Sequence, residues 1–167
     1  NALRDRDPEV RQFVADALGV TGLPVAARWL ASALADPDSS VRWKVARALD
    51  GLGWEPQEDS QVALHAVARG EFTRAAALGP VAIEALVSAA NAGPFNQRVA
   101  AIEALSQISD TRVVKPLLAA LKCEDSAVRV AAVEALARIG DPQAFDALVL
   151  LLKDKVNRVR GAAVEAV

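Results

Sequence analysis

An arginine returns along this chain at a nearly fixed interval. It stands at positions 11, 42, 98, 129 and 160, and three of the four intervals are 31 residues. The fourth, from Arg42 to Arg98, is 56, one full period plus a unit shortened by 6. The surroundings repeat as well. Val41-Arg42 through Ala48-Leu49, Val128-Arg129 through Ala135-Leu136 and Val159-Arg160 through Ala166-Val167 are variants of one segment. Val10-Arg11 through Ala17-Leu18 and Gln97-Arg98 through Ala104-Leu105 join the series. A period of this size marks a repeat architecture, in which each unit buries its apolar face only against its neighbours.

Each period reads as two helices. In the segment Ser126–Ile139, Val128, Ala132, Ala135, Leu136 and Ile139 share one face at helical spacing, while Val130, Glu134 and Arg138 share the opposite one. Gly140 follows where a left-handed residue ends a helix, and Asp141-Pro142 supplies the next cap and first turn. Gly22 and Gly53 recur eleven residues after their arginines, with Ser109 in the corresponding place of the third case. Asp7, Asp38 and Asp125 stand where N-caps belong. Second helices are expected at about 8–21, 38–52, 95–108, 126–139 and 156–167. First helices are expected at about 24–35, 80–91, 112–122 and 142–153. The fold class is therefore all-α: a right-handed α-α superhelix of about five helical hairpins, one of them degenerate. Residues 1–167 form one solenoid domain, which reads as a piece of a longer array. The composition agrees, being 53% hydrophobic but only 4% aromatic, because small side chains let helices approach closely.

Residues 54–79 break the period. A polar loop from Trp54 through Ser60 precedes a helix over Val62–Ala68, and Gly70 separates that helix from a short one over Glu71–Leu78. We read this unit as a degenerate repeat with Trp54, Phe72 and Leu78 filling the core. A binding insertion that alters the curvature is the other reading.

No constellation for catalysis is visible. His65 is the sole histidine and has no ligand at metal spacing. Cys123, the sole cysteine, precedes Glu124-Asp125, a poor setting for a nucleophilic sulfur. Neither a phosphate loop nor a nucleophile elbow occurs. We expect no catalytic residue, metal or cofactor, and hence no enzyme. A lone cysteine, no apolar run long enough for a bilayer and no signal peptide point to the cytoplasm and away from membranes. A net charge of −2 gives no general attraction to nucleic acid.

The run Asp36-Pro37-Asp38-Ser39-Ser40-Val41-Arg42, followed by Ala48-Leu49 and Gly53, resembles HEAT repeats. More narrowly it resembles the short bacterial and archaeal form named after phycobilisome lyase subunits. The resemblance spans nearly the whole chain and is weakest from Trp54 to Leu78. It implies a ladder in which the repeated arginines (Arg11, Arg42, Arg98, Arg129, Arg160) contact loop aspartates of the stacked units. Asp5, Asp36 and Asp154 lie six residues before Arg11, Arg42 and Arg160, while Ala92 and Cys123 replace the aspartate before Arg98 and Arg129. The ladder is read as architecture. In function the resemblance allows a scaffold or adaptor, or a bilin lyase-type subunit or chaperone.

The exposed side of the second helices is the expected binding groove. One and five residues after the arginines come Gln12 and Asp16, Trp43 and Arg47, Val99 and Glu103, Val130 and Glu134, Gly161 and Glu165. We take Trp43, Arg47, Val99, Glu103, Val130 and Glu134 as the groove residues. Four of the five later positions are acidic, which disfavours nucleic acid and suits a basic, partly apolar protein or peptide. Exposed apolar surface on terminal repeats would further permit end-to-end self-association.

Overall fold

The computed structural model describes residues 2–167, and among them all regular structure is helical. A single 3-10 turn, Ala2–Arg4, precedes α1 (Pro8–Val20). Five complete hairpins follow. They pair α2 (Pro24–Ala31) with α3 (Ser39–Gly51), α4 (Asp59–Arg69) with α5 (Phe72–Ala77), and α6 (Ile83–Ala92) with α7 (Phe95–Leu105). The last two pair α8 (Val114–Ala120) with α9 (Ser126–Ile139), and α10 (Phe145–Leu151) with α11 (Asn157–Ala166).

The local signals explain most of the boundaries. Asp7, Asp38 and Asp125 each accept a hydrogen bond from a first-turn amide of α1, α3 and α9. Gly140 ends α9 with φ +67°, a conformation that costs a Cβ-bearing residue dearly. Where Ser109 replaces glycine, α7 stops at Leu105, short of the expected 108, and the chain leaves through a turn in which Ser106 Oγ donates to the Glu103 carbonyl. α2 opens at Pro24 as expected, but the three later first helices start later than expected. Their opening turns, Gly79–Ala82, Thr111–Val113 and Pro142–Ala144, are 3-10 rather than α, as is common at helix N-termini.

The second helices form a tight row: α1 lies against α3, α7 against α9, and α9 against α11. Away from the irregular unit the first helices of successive units scarcely touch one another, whereas α4 packs on α6. Such a stack curves with the second helices on its inner side. Gly19 shows how closely the row packs, since a Cβ there would lie 2.8 Å from the Ala48 Cβ.

The row is interrupted at the irregular unit. α5 packs on α7 but hardly on α3, and α4 fills the space between them. Two hydrophobic clusters result. One is centred on Leu30, Leu34, Val41, Val45 and Leu49, the other on Leu86, Ile102, Leu105, Leu117 and Leu136. Leu64 of α4 packs against both. Phe72 is buried in the second cluster, Leu78 packs on it, and Trp54 packs on the first. These are the core-filling roles expected of a degenerate repeat.

Candidate functional site: the second-helix face and its arginine ladder

The five arginines behave as one device with local variations. Arg11 donates from Nε and Nη2 to both oxygens of Asp36, at 2.7 and 2.8 Å, and from Nη1 to the carbonyls of Asp5 and Arg6. Arg129 repeats this with Asp154, both bonds at 2.9 Å, and with the carbonyls of Cys123 and Glu124. The carboxylate therefore comes from the following unit, 25 residues ahead. The position six residues back offers its backbone carbonyl. This corrects the expected spacing. Asp36 serves Arg11 by its side chain and Arg42 by its main chain. Asp154 does the same for Arg129 and Arg160. Among the described residues the Asp5 carboxylate hydrogen-bonds to no arginine, acting on Arg11 only through its charge, and it accepts the Asp7 amide at 2.9 Å. Arg98 reaches Cys123 Sγ at 2.8 Å in place of a carboxylate, and the Ala90 carbonyl at 3.1 Å. Arg160 also donates to Asn157 Oδ1.

These contacts are architectural. Arg11, Asp36, Arg42 and Arg129 are buried, and a buried guanidinium is tolerated only with its donors engaged. The bond from Asp36 raises the Arg11 pKa against the lowering effect of burial. The bond from Arg129 holds the Asp154 carboxyl below its usual range, although burial opposes it.

The surface suited to a partner lies on the exposed side of the same helices. Trp43 is 40% exposed and its ring is covered by Arg47, whose guanidinium carbon is 4.7 Å from the ring centroid. Such stacking holds both side chains in place. Beside Trp43 runs a cleft of about 310 Å³, lined by Gln12, Ser40, Trp43 and Lys44 on one side and Pro94 and Gln97 on the other. The length of α5 explains it. That helix has 6 residues against 13 in α3, a deficit of about two turns or ~10 Å. The short second helix leaves α3 and the start of α7 to face each other across the gap.

Further along, Glu103, Glu134 and Glu165 occupy equivalent exposed positions on α7, α9 and α11. None has an ion-pair partner among the described residues. Asp16 on α1 is paired with Lys44. The face is thus aromatic and cationic on α3 and acidic from α7 onward. Two expected groove residues fall elsewhere. Val130 is buried, because α9 has α7 and α11 on its flanks and α8 behind it, which leaves Glu134, Ala137 and Arg138 as its exposed positions. Val99 is half-buried and packs on the core. Trp29, on a first helix, is 52% exposed at the outer surface.

The remaining reactive groups are tied into the fold. His65 Nε2 lies 2.9 Å from Asp50 Oδ1 and its ring 5.9 Å from that of Trp54, which fastens α4 to the end of α3. That link had no signal in the sequence, since Asp50 and His65 belong to different units. Among the described residues no three His, Cys, Asp or Glu side chains are grouped to hold a metal. No helix among them is long and apolar enough to cross a membrane.

Comparison with known proteins fits this geometry. The family model described as HEAT repeats matches residues 1–79 and 83–167. Among solved structures, human deoxyhypusine hydroxylase in complex with glycerol aligns with a TM-score of 0.51 at 21% identity, over 99% of this chain and 80% of that one. At that identity the likeness concerns the fold alone. No curated protein matches the chain.

Proposed function

From the premise that the chain belongs to the HEAT repeat family, we propose that it is a protein-interaction module, not an enzyme, that holds a partner protein along its second-helix face. The observation that carries this reading is Trp43, a large aromatic side chain exposed beside a cleft and stacked under Arg47. Aromatic and arginine side chains dominate binding energy at interfaces, and immobilising them beforehand reduces the entropy lost on binding.

The acidic half of the face suggests the partner's chemistry. Neighbouring helices sit about 8–10 Å apart, so Glu103, Glu134 and Glu165 recur at about that interval. A chain in the polyproline II conformation advances about 3.1 Å per residue and makes one turn every three residues, so every third side chain lies on one face. A segment crossing the row would therefore present lysine or arginine at every third residue, with an apolar residue seated against Trp43. A phosphate backbone would meet repulsion along the same row.

A synthetic peptide with lysine at every third residue and one terminal leucine tests this by calorimetric titration. Binding should weaken with added salt, and the pair Glu103→Lys and Glu134→Lys should weaken it by about tenfold or more. Equal affinity for a peptide with the same lysines clustered together would refute the register. The bilin lyase-type and chaperone reading has only the narrower sequence resemblance behind it. It requires that the purified protein bind bilin or speed its attachment to an apoprotein.

A second contact is proposed between copies of the chain. Phe13 (75% exposed) and Val20 (87%) on α1, and Leu150 (74%) and Val164 (65%) in the last hairpin, form apolar surface at opposite ends of the stack. Such a head-to-tail contact adds copies one after another, so association would grow with concentration.

A further inference from the structure

Arg42 is the least exposed arginine of the ladder, at 3%. Its Nη1 donates to the carbonyls of Asp36 at 2.8 Å and Pro37 at 3.0 Å. The other edge of its fork, Nε and Nη2, carries the two-pronged carboxylate contact in Arg11 and Arg129. In Arg42 that edge meets no carboxylate among the described residues. The irregular unit is the reason. Position 67, 25 residues ahead, is a valine inside α4, and the loop between α4 and α5 has shrunk to Gly70 and Glu71. Glu71 is held by Arg74 at 2.8 Å.

The unpaired edge is not sealed in the core. Among the described residues no fully buried side-chain nitrogen lacks a partner, so Nε and Nη2 retain an opening. Arg42 lines a cleft of about 260 Å³ between α3, α4 and α6. Leu64, Val81 and Ala85 give it apolar walls, Ser60 and Ser88 add hydroxyls, and the exposed Glu84 stands at its rim. Burial lowers the Arg42 pKa, with Asp36 and Asp38 opposing, whereas the carboxylate bond raises that of Arg11.

We propose that this cleft binds a carboxylate carried on a short aliphatic stem, its two oxygens taken by Nε and Nη2 of Arg42 as Arg11 takes Asp36. The charge and fork geometry select a planar anion. The stem lies against Leu64 and Val81. The occupant supplies the contact that the degenerate repeat omits, and it joins the two core clusters at the place where they are least connected. A free short-chain acid and an aspartate side chain from another polypeptide share this chemistry.

Two probes separate those sources: sodium butyrate, and a capped alanine peptide bearing one aspartate. The readout is the Arg42 Nε–H resonance in nitrogen-edited NMR of the whole chain. A saturable shift with millimolar butyrate, absent with sodium chloride of equal ionic strength, is expected. Tighter binding of the peptide would assign the site to a partner segment, and tighter binding of butyrate to a small molecule. Arg42→Lys removes that reporter, and calorimetric titration of the variant should show either probe bound about tenfold more weakly, through loss of the fork. Because that change touches a buried residue, Ser88→Leu provides the second variant. It narrows the cleft without touching Arg42 and should abolish the shift while the urea midpoint stays unchanged. The proposal is overturned if neither probe moves the resonance, if chloride moves it equally, or if the shift survives Ser88→Leu. It is overturned as well if Glu84→Gln alone lowers the urea midpoint as loss of a ladder aspartate would, since Glu84 would then already occupy the place of the missing carboxylate.

Discussion

Removing Asp36 should expose how much of the stack rests on its ladder. In Asp36→Ala the Arg11 guanidinium loses two short charge-assisted bonds, at 2.7 and 2.8 Å, and the Asp38 amide loses a third at 2.8 Å. The Arg11 and Asp36 side chains are only 10% and 6% exposed, so the orphaned charge cannot simply hydrate. Stripping one partner from a buried pair costs about 3–5 kcal/mol. The lower end applies because Arg11 keeps the Asp5 and Arg6 carbonyls. A loss of about 3 kcal/mol corresponds to a drop of roughly 6–12 °C in Tm for a chain of this size. Urea unfolding followed by far-UV circular dichroism measures it. The double variant Arg11→Met with Asp36→Ala should recover most of the loss, since no unpaired charge is then left inside. A cost below about 1 kcal/mol, or a double variant no better than Asp36→Ala, would refute the claim that the pair is buried and coupled.

Three further outcomes are expected. Asp154 titrates below the ordinary carboxylate value in the folded chain, so its contribution is complete above about pH 4 and is lost as pH falls through the folded value. Asp154→Asn should therefore shrink the difference in urea midpoint between neutral and acid solution, and an unchanged difference would contradict the pairing. Cys123→Asp should give Arg98 the carboxylate that Arg11 and Arg129 already have, and raise stability by up to about 1 kcal/mol in the same urea assay. A fall would mean that the sulfur contact at 2.8 Å is not a rung of the ladder. Sedimentation velocity should show association that grows with concentration and is suppressed by Phe13→Glu; a monomer at every concentration would remove the head-to-tail contact.

The fold was legible because its signals are local and repeated. Asp7, Asp38, Asp125 and Gly140 each act within one turn of their own helix, so spacing alone located them. The ladder was legible only in part. Its residues were identifiable from the period, but the pairing runs between units. A carboxylate 25 residues ahead and a carbonyl six residues back look alike when every unit carries both positions. Val130 was misplaced for a related reason. Helical spacing sets it opposite Val128, but both flanks of α9 are covered by neighbouring second helices, and one helix's periodicity does not record that. The cleft beside Trp43 and the unpaired edge of Arg42 had no signal of their own, since both follow from the shortness of α5 and its two-residue loop. The irregular unit at 54–79 was visible as a break in period, and its consequence lies in what it removes from α3.

The proposal that a partner protein lies along the second-helix face is tested most directly by site-specific photo-crosslinking in cells that express the full protein. A photoreactive residue at position 103 on α7 should yield a discrete protein adduct that disappears on Trp43→Ala. The same residue at position 29, on the first-helix side of the stack, should yield none. Adducts of equal yield from both positions, or an adduct at 103 that persists without Trp43, would contradict it.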